Sequence, residues 1–216
     1  GFTLNLGVIH LKRGDMDRAR ELIGESLAQF AAVKNSERQL FALLNLAHLD
    51  REQGAVDGAA ALYDAVISLA QRIGQDDVEI GAMAGAALVL RAAGRTAEAA
   101  DRAAAASARC AARDDWFQGR ELVEALELLA WCDAGRAADA LDRYERSMPQ
   151  AEAADLYGAA WLAAEVVPHV ASADASFAQM TLWRYARLAG DHGYTAVAAR
   201  CADAARRRTP GGTSVA

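Results

Sequence analysis

The stretch Arg13-Gly14-Asp15-Met16-Asp17-Arg18-Ala19-Arg20 recurs along the chain and decides its fold. Comparable stretches begin at Gln53, Ala93 and Ala134, so the copies are spaced 40, 40 and 41 residues apart. Each copy has a glycine at its second position and an alanine five residues later, which indicates a true internal repeat. The coincident pairs are Gly14/Ala19, Gly54/Ala59, Gly94/Ala99 and Gly135/Ala140.

Each repeat predicts two helices joined by a tight turn. The glycine takes the left-handed conformation that ends a helix, and the small alanine lets the next helix pack closely. Capping boxes at Ser36–Gln39, Asp76–Glu79 and Asp115–Gln118 predict where the first helix of a repeat begins. The predicted helices cover residues 2–13, 16–33, 37–53, 56–73, 77–93, 96–112, 116–133, 136–147, 151–167, 174–189 and 192–208.

Stacked helix pairs of this kind predict an all-α fold, a right-handed superhelix of about five helix pairs plus a C-terminal helix. Pro149 is expected to close the fourth pair, and later helices are expected to end before Pro168 and at Gly190. Residues 209–216 have the composition of a flexible tail. The expected divisions are 1–148 with four helix pairs (1–34, 35–74, 75–114 and 115–148), divergent helices over 149–208, and the tail.

The composition agrees with a helical protein and excludes several classes of function. Alanine supplies about a quarter of the 216 residues, and aromatic residues supply only 6%. No apolar run is long enough to cross a bilayer, and the net charge of −6 argues against direct nucleic-acid binding. Because the chain begins at Gly1 inside an expected helix, we expect it to be a piece of a longer protein.

The sequence contains no constellation typical of an active site or a metal site. Cys110, Cys132 and Cys201 form no Cys-x-x-Cys pair, and the histidines are scattered along the chain. Three widely spaced thiols fit a reducing compartment. We therefore expect a cytoplasmic protein that is not an enzyme and has no cofactor and no metal.

The repeat residues resemble the tetratricopeptide repeat. Its pattern is matched by Leu6-Gly7, Gly14, Ala19 and Ile23 in the first copy. The unit is longer than the usual length of about 34 residues. It is similar to the repeats of kinesin light chains, of peptide-pheromone receptors in Gram-positive bacteria, and of the helical arm of ATP-binding LuxR-type and maltose-regulator-type transcription factors.

This resemblance implies a scaffold without chemistry of its own, whose concave groove binds a protein or peptide, within a larger bacterial regulatory protein. The alternative is the effector-sensing arm of a bacterial signal-transducing ATPase or transcription regulator, in which the groove binds a small ligand. Neither direct nucleic-acid contact nor membrane contact is expected. An exposed helix at either end could pair with a second copy, so a homodimer is left open.

Asn5 and Asn45 are the sharpest polar candidates, since they lie 40 residues apart and each interrupts an apolar run. An amide in such surroundings costs free energy unless it is hydrogen-bonded. One interpretation is that both line the groove and bond the main chain of an extended peptide, a role that the resemblance to long-repeat relatives implies. The other is that they pair between repeats and fix the stacking register.

His48, Arg51 and Glu52 follow Asn45 along roughly the same helical face, and Arg91 lies 40 residues after Arg51. One interpretation is a polar groove that holds a carboxylate or an acidic peptide, because a guanidinium binds carboxylates in bidentate geometry. The other, which we favour from the sequence, is a solvated helix face.

Aromatic residues crowd the C-terminal half and are expected to be core residues. An exposed binding site is conceivable only at Trp116 and Phe117, which lie at an expected helix start. The set consists of Trp116, Phe117, Trp131, Trp161, Trp183 and Tyr185.

Overall fold

A computed structural model describes residues 1–113 and 115–207 of the chain. These residues form eleven α-helices and no strand, which confirms the predicted all-α fold. The tail expected over 209–216 lies outside the described residues. The helices are α1 (Phe2–Arg13), α2 (Met16–Ala32), α3 (Ser36–Glu52), α4 (Val56–Ile73), α5 (Asp76–Ala92), α6 (Thr96–Cys110), α7 (Arg120–Asp133), α8 (Ala137–Ala154), α9 (Leu156–Val170), α10 (Ala175–Asp191) and α11 (Thr195–Arg206).

The repeated glycine and alanine have the roles that the sequence predicts. Every repeat glycine has a positive φ, with values of 84°, 71°, 75° and 76° at Gly14, Gly54, Gly94 and Gly135. Residues with a Cβ adopt this conformation only at a cost in energy, so glycine ends each first helix. The repeat alanines Ala19, Ala59, Ala99 and Ala140 are all buried.

Three helix ends predicted in the C-terminal half are wrong. Helix α8 continues through Pro149 to Ala154, and α9 contains Pro168. In both helices buried apolar side chains flank the proline, and their packing offsets the backbone hydrogen bond that proline cannot donate. Helix α10 also runs past Gly190, and the left-handed residue is Gly193, with a φ of 75°.

The predicted capping boxes are wrong as well. The carboxamide of Asn35, one residue before the predicted cap, accepts a hydrogen bond of 3.0 Å from the backbone N–H of Arg38. Helix α5 begins after Gln75 without a side-chain cap, and α7 begins only at Arg120. Asparagine is as good an N-cap as serine, so the local motif left the choice between neighbouring residues undetermined.

The chain forms two compact units, Gly1–Leu126 and Glu127–Ala216. In the first unit, α3 packs against both α2 and α4, and α5 packs against both α4 and α6. The first helices of successive hairpins also touch, since α3 contacts α1 on one side and α5 on the other. We call α1, α3 and α5 the first-helix row, because this row carries most of the candidate residues.

Ion pairs join the second helices of neighbouring hairpins in the first unit. Arg95 contacts Asp57 at 3.0 Å, and Arg102 contacts Asp64 through a hydrogen bond of 3.1 Å. Both pairs join residues 38 positions apart, so they follow the repeat. At the preceding junction, Arg20 of α2 contacts the buried Asp50 of α3 at 2.5 Å. These pairs fix the register of the stack more than they add stability, because most of their charges are partly exposed.

In the second unit, α9 packs against α8, α10 and α11. Helix α9 is buried along most of its length, from Gly158 to Val170. Trp161 and Tyr185 are core residues here, as expected from the sequence, whereas Trp183 is exposed. Helix α10 therefore presents an aromatic side chain to solvent.

Candidate functional site

The two asparagines lie on neighbouring helices of the first-helix row, in different surroundings. Asn5 on α1 is exposed, whereas Asn45 on α3 is half-buried. The Asn45 side-chain nitrogen donates a hydrogen bond of 2.7 Å to the backbone carbonyl of Phe41, one turn earlier in the same helix. This bond holds the amide in place without using its oxygen. The equivalent position in the next repeat is Gly85, so the row of amides does not extend to α5.

Exposed apolar side chains flank Asn5 on the same face of α1. Phe2 and Ile9, three residues before and four residues after it, are 83% and 45% exposed. Residues at this spacing line up along one side of a helix. The exposed face of α1 therefore combines an amide with two apolar side chains.

The structure brings His48, Arg51 and Glu52 together on α3, around the buried phenol of Tyr63 on α4. The Arg51 guanidinium contacts the Glu52 carboxylate at 3.0 Å and donates a hydrogen bond of 3.5 Å to the Tyr63 hydroxyl. The rings of His48 and Tyr63 lie 5.9 Å apart. The side chains of Arg51 and Glu52 are only 13% and 14% exposed, which does not fit a solvated helix face.

Burial determines the ionisation of this cluster. Desolvation, assisted by the Arg51 charge and opposed by Glu52, lowers the pKa of His48 to about 3, so the ring is neutral at pH 7. Its Nε2 atom is shielded from water and has no hydrogen-bond partner among the described residues. Desolvation also raises the pKa of Tyr63 to about 12. Arg51 acts in the opposite direction, and Glu52 and Glu121 add to the rise. The phenol therefore keeps its proton.

The charges of Arg51 and Glu52 in this cluster are paired with each other. Because Glu52 neutralises Arg51, the arrangement does not favour a carboxylate at this place. Arg91 is half-buried one hairpin further along, on α5. The cluster also lacks a nucleophile paired with a base, which hydrolytic or transfer chemistry would need.

Tyr63, which supplies the buried wall of the cluster, was not among the site residues expected from the sequence. It lies four residues after the repeat alanine Ala59, and Tyr144 holds the equivalent place after Ala140. Tyr63 also explains why position 85 is a glycine, because a Cβ there would lie 2.5 Å from the Tyr63 ring. The sequence did contain a signal for this contact: Tyr63 occupies a repeat position, and the next repeat has a glycine at position 85.

The comparisons with known proteins concern the N-terminal repeats. Residues 2–72 match the family model described as tetratricopeptide repeat. Residues 2–72 therefore form a tetratricopeptide-like region. The matched region spans α1 to α4 and therefore includes Asn5, Asn45 and the cluster around Tyr63. No curated protein matches the chain.

Metal binding and membrane insertion find no support in the part of the chain that the structure describes. Within it, His, Cys, Asp and Glu residues nowhere gather in a group of three that could hold a metal ion. Every helix there is also too short or too polar to traverse a lipid bilayer.

Proposed function

We propose that the tetratricopeptide repeats bind an extended peptide of a partner protein along the first-helix row, without catalysing a reaction. The observation that carries this proposal is the exposed face of α1, where Asn5 lies between Phe2 and Ile9. The amide can bond the peptide main chain, and the apolar side chains can cover alternate peptide side chains. A stacked array holds these groups rigidly, so little conformational entropy is lost on binding.

On α3, Asn45 offers the next contact for a peptide that runs along the first-helix row. Its nitrogen is held by the Phe41 carbonyl, so its orientation is fixed before a ligand arrives. In this proposal His48, Arg51, Glu52 and Arg91, which the sequence offered as a groove for a carboxylate or an acidic peptide, form the end of the binding surface. The mutual neutralisation of Arg51 and Glu52 supports recognition of an uncharged peptide segment at this end.

The double variant Asn5→Ala/Asn45→Ala tests this function in a pull-down with the immobilised chain, analysed by mass spectrometry. We expect the variant to stay helical by circular dichroism and to lose the partner that the unchanged chain captures. The matched control is Gln29→Ala/Gln150→Ala, which removes two exposed amides elsewhere and should retain capture. If the asparagine variant captures the same partner equally well, the residues have a structural role and the proposal fails.

We also propose that the chain is part of a larger cytoplasmic regulatory protein of a bacterium. The similarity of the Arg13–Leu22 stretch to the helical arm of LuxR-type regulators supports this context. The complete reading frame tests it. ATP-binding motifs upstream, or a terminal helix-turn-helix, would support a regulator, and a frame that encodes only helical repeats would contradict it.

A further inference from the structure

Helix α10 in the second unit has one buried face and one exposed face of mixed apolar and basic character. Leu182 and Tyr185 are buried against the core. Met180, Trp183 and Arg187 lie on the other side, at the i, i+3 and i+7 spacing of a single helical stripe. Met180 is 65% exposed and Trp183 is 42% exposed. Two large apolar side chains next to an arginine give this stripe both an apolar and a charged contact for a partner.

These side chains line a shallow groove of about 490 Å³, which we call the α10 groove. The groove is open to solvent, so it can receive side chains of a bound segment but does not enclose a small molecule. Its lining consists of Gln179, Met180, Trp183, Arg184 and Arg187.

The edge of the α10 groove is held rigidly. The Arg184 guanidinium makes two hydrogen bonds to the Glu152 carboxylate of α8, at 2.5 and 3.0 Å. The Tyr185 hydroxyl donates a hydrogen bond to the same carboxylate. On the other side, the Arg206 guanidinium of α11 lies 6.0 Å from the centre of the Trp183 ring. A surface fixed in this way loses little entropy when a partner binds.

The charge around the α10 groove is opposite to that of the rest of the chain. Residues 175–207 contain five arginines and two aspartates, whereas residues 1–174 contain 17 basic and 27 acidic residues. Arg184 is occupied by Glu152, but Arg187 is exposed and has no ion-pair partner in the part of the chain that the structure describes. The groove therefore offers an unpaired guanidinium beside an apolar surface.

We propose that the α10 groove docks an acidic segment of a partner protein that carries an apolar anchor. The anchor side chain packs on Trp183 and Met180, whose polarisable surfaces accept aromatic and aliphatic groups. A carboxylate of the segment pairs with Arg187, since a guanidinium matches a carboxylate in bidentate geometry. This surface uses none of the residues assigned to the first-helix row and does not depend on that proposal.

A selection from a phage-displayed library of random 12-residue peptides tests the proposal with the complete chain. We expect the recovered peptides to share aspartate or glutamate residues around an aromatic or aliphatic side chain. A synthetic peptide of this consensus should bind by fluorescence anisotropy, and binding should weaken at least tenfold in Trp183→Ala and in Arg187→Glu. Raising the salt concentration should weaken it further.

Two matched controls separate this surface from others. Val33→Ala removes another exposed apolar side chain, and Arg18→Glu reverses another exposed arginine, so both should leave peptide affinity unchanged. Peptides without an acidic consensus, or with affinity that depends on Asn5 and Asn45 instead of Trp183, would overturn the proposal.

Two other occupants are distinguished by the same variants. A dimer seen by sedimentation at high concentration and abolished by Trp183→Ala would assign the groove to a second copy and overturn the proposal. Binding of a 20-nucleotide single strand that requires Arg187 but survives Trp183→Ala would assign it to nucleic acid, with the same consequence.

Discussion

At the scale of single residues, the contact between Tyr63 and Gly85 joins two repeats. A Cβ added at Gly85 would lie 2.5 Å from Tyr63 Cζ and 2.6 Å from Cε1. The Tyr63 ring is fully buried and cannot move aside without disturbing its neighbours. We expect Gly85→Ala to lower the free energy of unfolding by about 1–2 kcal/mol, measured by urea denaturation, because the overpacking exceeds the gain in helix propensity.

Gly24 is the matched control for this substitution. It also lies within a helix, but an added Cβ would meet nothing within 4 Å. Gly24→Ala should therefore raise the free energy of unfolding by roughly 0.5–1 kcal/mol, the usual advantage of alanine in a helix. Equal stabilisation by both substitutions would show that Tyr63 and Gly85 do not pack as described.

A second residue-scale effect concerns His48, which is half-buried as a residue but whose ring Nε2 atom is shielded from water. Burial lowers its pKa from 6.5 to about 3, so the unfolded chain binds a proton that the folded chain excludes. The stability due to this neutral ring is complete above pH 6.5 and is lost progressively as the pH falls toward 3. We expect a loss of about 1–2 kcal/mol between pH 7 and pH 5, measured by denaturation at each pH.

The variant His48→Gln isolates this effect from the titration of other groups. Its free energy of unfolding should fall less steeply between pH 7 and pH 5 than that of the unchanged chain. Gln29→Ala changes an exposed side chain that does not titrate, so this variant should keep the original slope. Identical slopes for His48→Gln and the unchanged chain would mean that the pKa of His48 is the same in the folded and the unfolded state.

At the scale of helices, the sequence predicts a helix end correctly where that end requires a residue with positive φ. Gly54 and Gly94 lie at turns with positive φ, which a sequence reveals because few other residues adopt that geometry. The ends near Pro149, Pro168 and Gly190 could not be predicted in this way. There, burial of neighbouring apolar residues outweighs an unfavourable local residue, and burial depends on helices distant in sequence.

The same distinction applies to the candidate site on α3. Repeat spacing and polarity were enough to identify His48, Arg51 and Glu52 as neighbours on one helix. The sequence did not reveal that Arg51 and Glu52 are mostly buried, because Tyr63 comes from another helix and is brought to them only by packing. A helical face read from spacing alone therefore cannot distinguish a solvated ion pair from a buried one.

At the scale of the whole molecule, each compact unit contains one helix that is enclosed by the others. In the Gly1–Leu126 unit this is α5, where almost every residue from Val78 to Leu90 is buried. Its neighbour α6 is also rich in alanine, yet only Ala99, Ala106 and Cys110 are buried there. The two helices therefore separate the contribution of burial from that of helix propensity, since alanine favours helix formation in both.

Amide hydrogen exchange followed by mass spectrometry can measure this difference. Opening α5 must expose apolar side chains on all of its sides, whereas α6 can fray with little loss of burial, so we expect peptides from 78–90 to exchange at least tenfold more slowly than peptides from 97–109. Comparable protection of both helices would show that intrinsic propensity dominates local stability in this unit. Slower exchange in α5 would instead show that burial outweighs intrinsic helix propensity in setting the local stability of this unit.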